Sequence, residues 1–103
     1  MHIITGDRAS GKTTKLIKMS AKNGIYILVA NRTRALYLSD LARKLGYYIP
    51  FPVTLEEYYK SHGFAGSCIK RDGLYIDDAD EILQNILKDI EIKAMTLITD
   101  KGE

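Results

Sequence analysis

Cysteine, proline and tryptophan are scarce in this chain, with one, two and none in 103 residues. A single cysteine, Cys68, excludes an internal disulfide framework and any metal site built from several cysteines. A reducing compartment, the cytoplasm, is therefore expected. No apolar run approaches the ~20 residues that span a bilayer, so no membrane crossing is expected. The opening residues Met1-His2-Ile3-Ile4-Thr5-Gly6 carry neither a basic segment nor a long apolar one and do not read as a secretory signal. His2 and His62 have no metal-spaced partners, Cys68 has no catalytic context, and no Ser/His/Asp motif is present. The length accommodates one domain, residues 1–103, without room for a separate lid or substrate domain.

What is present is an ordinary globular balance, 46 % hydrophobic and 27 % charged, with a net charge of only +2. That small number hides an asymmetry. Residues 1–50 hold 9 Lys/Arg against 2 Asp/Glu, and residues 51–103 hold 6 against 11. Two solvated faces of opposite sign explain this as well as a basic half that meets phosphate and an acidic half that holds a metal.

The apolar pattern alternates between strand and helix. Residues 2–5 form a short apolar run ending at Gly6, and residues 25–30 a β-branched run of the kind buried on both faces of a parallel sheet. Between them, residues 12–22 read as a helix with Leu16, Ile17 and Met19 inward, closed by Asn23-Gly24. Residues 33–44 read as a second helix, with Leu38, Leu41, Ala42 and Leu45 on one face and Gly46 at its end. Residues 47–53, with Pro50 and Pro52, read as a break. Thr54-Leu55-Glu56-Glu57 is a capping box that opens a short helix to about Ser61. Residues 62–73 read as a loop, with a short extended piece at 68–70. A third strand is expected at 74–76. The strongest amphipathic helix follows, with Ala79, Ile82, Leu83, Ile86, Leu87 and Ile90 on one face. A last strand is expected at 94–99. This alternation predicts an α/β fold, a three-layer sandwich around a mostly parallel sheet of four strands, with ligands at the strands' carboxyl ends.

Two segments carry chemistry. Gly6-Asp7-Arg8-Ala9-Ser10-Gly11-Lys12-Thr13 is G-x-x-x-x-G-K-T, placed after a predicted strand and before a predicted helix. In such a loop the backbone N–H groups wrap a polyphosphate at the positive end of the helix, with Thr14 in the helix's first turn. Lys12 reaches the outer phosphates and Thr13 offers its hydroxyl to Mg²⁺. Asp7 adds negative charge near phosphate, which either Arg8 offsets or a solvent-facing orientation avoids. The second segment, Leu74-Tyr75-Ile76-Asp77-Asp78, is an apolar strand ending in two carboxylates. With a phosphate loop upstream it looks like a Walker B segment, in which Asp77 holds Mg²⁺ and Asp78 stands where a water-activating carboxylate sits, a place more usually filled by Glu. Asp80 and Glu81 read as acids that complement the helix amino end.

These segments, together with Thr96-Leu97-Ile98-Thr99-Asp100, resemble P-loop NTPases of the RecA/AAA+-like (ASCE) division. The stretches Leu45-Gly46-Tyr47-Tyr48-Ile49-Pro50-Phe51-Pro52-Val53-Thr54 and Tyr75-Ile76-Asp77-Asp78-Ala79-Asp80 further resemble very small P-loop ATPase-like proteins of phages and prophages of Gram-positive bacteria. The resemblance implies a sheet ordered 1-4-3-2, Walker A and Walker B motifs binding ATP and Mg²⁺, and Thr99 as a polar sensor of the γ-phosphate. Thr99 is equally well an ordinary strand end. The chain departs from the larger families in having no lid, no fifth strand and no C-terminal sensor arginine.

Arg32, Arg34 and Arg71 are candidate arginine fingers acting across an oligomer, or plain surface arginines. Asn31-Arg32-Thr33-Arg34 touches nucleic-acid phosphate or simply caps a helix through Thr33. Tyr47-Tyr48 and Tyr58-Tyr59 stack bases or pack the edge of a small domain. The expected function is that of an ATP- and Mg²⁺-binding ATPase acting on nucleic acid, in phage DNA metabolism or packaging, as a homo-oligomer or with a larger partner. The alternatives are a nucleotide-gated interaction protein with negligible hydrolysis and a small nucleotide kinase. No arginine has a clear reason in the sequence to reach the γ-phosphate of its own chain, so the expected monomer is at most a weak hydrolase.

Overall fold

The structure, a computed structural model, describes residues 1, 3–6 and 11–97. Helix α1 (Lys12–Asn23) leads to strand β1 (Ile27–Val29), helix α2 (Arg32–Leu45) and strand β2 (Val53–Thr54). Helices α3 (Leu55–Lys60) and α4 (Cys68–Asp72), strand β3 (Tyr75–Ile76) and helix α5 (Ala79–Ile86) follow. The fold is mixed α/β, and its three strands form one parallel sheet ordered β2-β1-β3.

β1 is the middle strand, and Ile27, Leu28 and Val29 are all buried. It aligns Leu28 with Val53 and Val29 with Thr54 on one side, and Ile27 with Tyr75 and Leu28 with Ile76 on the other. Side chains alternate across a strand, so β1 feeds two cores. Ile27 and Val29 pack with Leu16 and Ile17 of α1 and with Ala35, Leu38 and Ala42 of α2. Leu28 packs on the opposite face with Val53, Phe64 and Ile82. Helices therefore cover both faces of the sheet.

Local chemistry explains most boundaries. Gly24 and Gly46 end α1 and α2 in the left-handed conformation and donate their N–H groups back to Ser20 and to Ala42 and Arg43. The capping box at α3 is complete. Thr54 Oγ1 accepts from the Glu57 N–H at 3.2 Å, and a Glu57 carboxylate oxygen accepts from the Thr54 N–H at 3.0 Å. The N-cap of α2 is Asn31, whose side chain accepts from the Arg34 N–H at 3.0 Å; the expected Thr33 cap is displaced, since Thr33 already lies inside the helix.

Several expected elements differ. Val53, read as the end of a break, and Thr54, read as the cap of a helix, form β2, because they pair with β1. The loop at 62–73 contains α4, whose Ser67 cap accepts from the Ile69 N–H at 3.2 Å and whose Gly73 N–H returns to Ile69. The amphipathic pattern extends to Ile90, but α5 stops at Ile86. There the Gln84 amide donates to the Leu87 and Ile90 carbonyls while its oxygen accepts from the Ile92 N–H, so a side chain replaces the next helical turn. Residues 3–5 and 94–97, the described parts of the expected first and last strands, carry no strand. The 1-4-3-2 order is thus present only as the pairing of the second and third expected strands, here β1 and β3, with β2 added beyond.

No helix among the described residues is long and apolar enough to cross a membrane.

Candidate functional site

Parallel pairing puts the carboxyl ends of β1 and β3 at one edge of the sheet. The Tyr75 N–H donates to the Tyr26 carbonyl at 2.9 Å and the Asp77 N–H to the Leu28 carbonyl at 3.1 Å. Asp77 is thereby fixed by its own backbone one residue beyond β3, beside the point where β1 turns into α2. Its side chain is 6 % exposed, and it is the one buried carboxylate among the described residues.

Three groups converge there. Thr13, from the first turn of α1, donates its hydroxyl to Asp77 Oδ1 at 3.2 Å across 64 residues of sequence. Arg34, from the first turn of α2, donates from Nε to Asp77 Oδ2 at 2.9 Å, and its Nη2 lies 2.9 Å from the same oxygen. Nη2 also donates to Thr13 Oγ1 at 3.3 Å. The guanidinium is 30 % exposed and lies over the Tyr37 ring, 4.8 Å from its centroid. Asp77 thus has both oxygens engaged, and the Thr13 hydroxyl both donates and accepts.

The ends of the phosphate-loop motif meet as well. Lys12 Nζ donates to the Gly6 carbonyl at 3.1 Å. Gly11 sits at the amino end of α1 with φ 79°, a left-handed conformation that favours glycine, so the second motif glycine has a conformational reason. Thr14 follows Thr13 in α1, half-buried. Asp7, Arg8, Ala9, Ser10 and Thr99 lie outside the described residues.

Asp78 is exposed and takes the N-cap position of α5 in a left-handed conformation, φ 60° and ψ 61°, with no capping bond from its side chain. Hydrogen bonding with Asp80, then burial, then the negative charges of Asp80, Glu81 and Asp77 hold its carboxyl above the usual carboxylate range. Asp80 is held below that range, chiefly by the same hydrogen bond, with the Lys12 charge adding to the effect.

Of the three candidate fingers, Arg34 alone joins the site. Arg32 is exposed, and Arg71 is held on its neighbour Asp72 at 2.8 Å. The sequence offers Arg34 as a finger acting across an oligomer, without a target in its own chain. Its contact depends on β1 pairing with β3, which no local pattern encodes. Of the tyrosines, Tyr47 packs against the first core, and Tyr58 meets Tyr59 edge to face with centroids 5.5 Å apart. An open pocket of about 510 Å³ adjoins the site, lined by Asn31, Thr33, Arg34, Tyr37 and Glu81.

Mg²⁺ prefers oxygen ligands, keeps several waters and is usually held by one or two protein groups together with substrate phosphate. A buried carboxylate and a hydroxyl 3.2 Å apart suit that mode, and a cationic group already rests on both. Among the described residues there is no group of three or more His, Cys, Asp or Glu that could hold a metal ion.

No protein-family model matches the chain, and neither a curated protein nor a solved structure does.

Proposed function

We propose that this chain is a small P-loop NTPase that binds ATP with Mg²⁺. On this reading residues 6–14 hold the phosphates, Lys12 neutralises them, Thr13 and Asp77 face the metal, and Thr99 senses the γ-phosphate. The observation that carries the reading is the 3.2 Å hydrogen bond between Thr13 and Asp77. The threonine of a G-x-x-x-x-G-K-T loop and the acid at a strand end must meet if both serve one cation, and they are 64 residues apart. The four-stranded P-loop sandwich belongs to the same proposal, with β1 and β3 as its second and third strands. A partner carrying phosphate, nucleic acid above all, suits the basic first half, whose exposed Lys15, Lys18 and Lys22 lie on α1.

A second reading, a nucleotide-gated interaction protein with negligible turnover, is favoured by Asp78. It stands where a glutamate is more usual, one methylene shorter, and it is exposed at the amino end of α5, so its carboxylate reaches less far toward an attacking water. Calorimetric titration of ATP with and without Mg²⁺ tests the common core of both readings. Wild type binds more tightly with Mg²⁺, and Asp77→Asn loses that difference; absence of ATP binding by wild type refutes both. Phosphate release, measured against protein concentration with and without single- and double-stranded DNA, then separates them. Stimulated release supports the ATPase, and none at any concentration supports the gated protein.

A further inference from the structure

The Arg34 guanidinium stands where the proposed cation would act. It uses the lone pairs that Mg²⁺ would need: Nε and Nη2 take Asp77 Oδ2 at 2.9 Å, and Nη2 takes the Thr13 hydroxyl oxygen at 3.3 Å. The hydroxyl, which donates to the carboxylate, has one of its two lone pairs already taken by the guanidinium. Two cations on one pair of oxygen ligands, in a site where the carboxylate is 6 % exposed, also repel each other strongly. The arginine and the metal are therefore alternatives.

We propose that Arg34 is a metal-exchange residue. It neutralises Asp77 and orders Thr13 while the nucleotide site has no metal, and Mg²⁺ arriving with the nucleotide displaces it. The inference rests on the nucleotide-binding reading above. It adds a second state of the site and a residue that reports on it. The displaced side chain has a place to go. It already lies over Tyr37, a contact it keeps, and Glu81 lines the same open pocket, so a second carboxylate replaces the one it gives up. Arg34 is in the first turn of α2, next to the Asn31 cap that holds its own N–H. Metal loading is thereby passed to the amino end of α2 and to the pocket, a surface on which a partner can read whether the nucleotide carries its metal. The role is positional: Arg34 holds the ligands in place and then yields them.

The test uses ADP, so that no turnover intervenes. Its affinity is measured by calorimetry in Mg²⁺ and in EDTA, for wild type and for Arg34→Gln. The ratio of the two affinities measures how strongly metal and nucleotide support each other. Removing the competing cation raises that ratio about tenfold, the scale of one hydrogen bond to a charged group. Because Arg34→Gln can fail to fold, a second measurement needs no variant. The Arg34 Nε–H signal of the wild-type protein is followed by nitrogen-15 NMR. It stays in place with ADP and EDTA and moves when Mg²⁺ is added. An unchanged ratio in a folded Arg34→Gln protein, or an Nε–H signal unmoved by Mg²⁺ in a protein that binds ADP, overturns the exchange and leaves the nucleotide site standing. Wild type that binds no ADP in either buffer overturns the nucleotide site itself.

Discussion

The Arg34–Asp77 pair makes an uneven prediction about stability. Asp77 is 6 % exposed, whereas Arg34 is 30 % exposed and has the Tyr37 ring beside it. Arg34→Ala leaves a buried carboxylate that, among the hydrogen bonds of the described residues, keeps the Thr13 hydroxyl. Breaking a fully buried pair by removing one partner costs about 3–5 kcal/mol. The remaining hydroxyl and the partial access of water on the arginine's side reduce that to about 2–3 kcal/mol. Asp77→Ala leaves instead a guanidinium that turns toward solvent, at about 1 kcal/mol, the scale of one lost charge-assisted hydrogen bond net of resolvation. The double variant removes both charges and costs about as much as Asp77→Ala plus the lost packing of the arginine stem. The order of stability is therefore wild type, Asp77→Ala, the double variant and last Arg34→Ala. The cycle should be non-additive by about 1–2 kcal/mol. Urea unfolding followed by circular dichroism at pH 7 measures all four, and in a chain of 103 residues each kcal/mol moves the melting temperature by about 4–8 °C. Equal costs for the two single variants, or strict additivity, would refute the reasoning. Either result would mean that the pair behaves as a solvated surface contact.

On the proposed nucleotide-binding reading, Lys12→Ala should lower ATP affinity at least about tenfold and leave the circular dichroism spectrum unchanged, because the charge would serve phosphate and not either core; unaltered affinity by calorimetry would remove Lys12 from the site. Asp78 carries a pH signature. Its folded carboxyl lies above the usual range, so the native state holds that proton more tightly than the unfolded chain, and stability is lost as pH rises through the folded value. Asp78→Asn removes this loss, and asparagine tolerates the φ of 60°. The variant's stability in urea unfolding should therefore gain on wild type as pH rises from 4 to 7, by about a few tenths of a kcal/mol at this solvent-exposed position. An advantage that shrinks with rising pH would reverse the assignment. Ile17→Ala, at a fully buried position between both helices and β1, should cost about 2–5 kcal/mol in urea unfolding. A cost below 1 kcal/mol would show that the first core is loosely packed.

Short-range chemistry was legible in the residues themselves. The ends of α1 and α2 follow from Gly24 and Gly46, whose left-handed conformation suits glycine. The start of α3 follows from Thr54 and Glu57, which satisfy each other three residues apart. The spacing from Gly6 to Thr13 and the acids after an apolar run at Asp77 and Asp78 marked both halves of the site for the same reason: each is a local pattern. What needed the tertiary structure is everything that one segment does to another. β2 is two residues long and exists because β1 lies beside it. α5 ends early because Gln84 reaches forward to Leu87, Ile90 and Ile92. Residues 3–5 and 94–97 look like strands by their apolar character but carry none, since that character does not supply a hydrogen-bonding neighbour. Arg34 is the sharpest case. From the sequence it is one arginine among several after a strand, and neither its type nor its spacing distinguishes it from Arg32. Parallel pairing of β1 with β3 carries the first turn of α2 to the buried carboxylate 43 residues away. A buried negative charge requires a cation, and among the described residues the fold brings Arg34 to it.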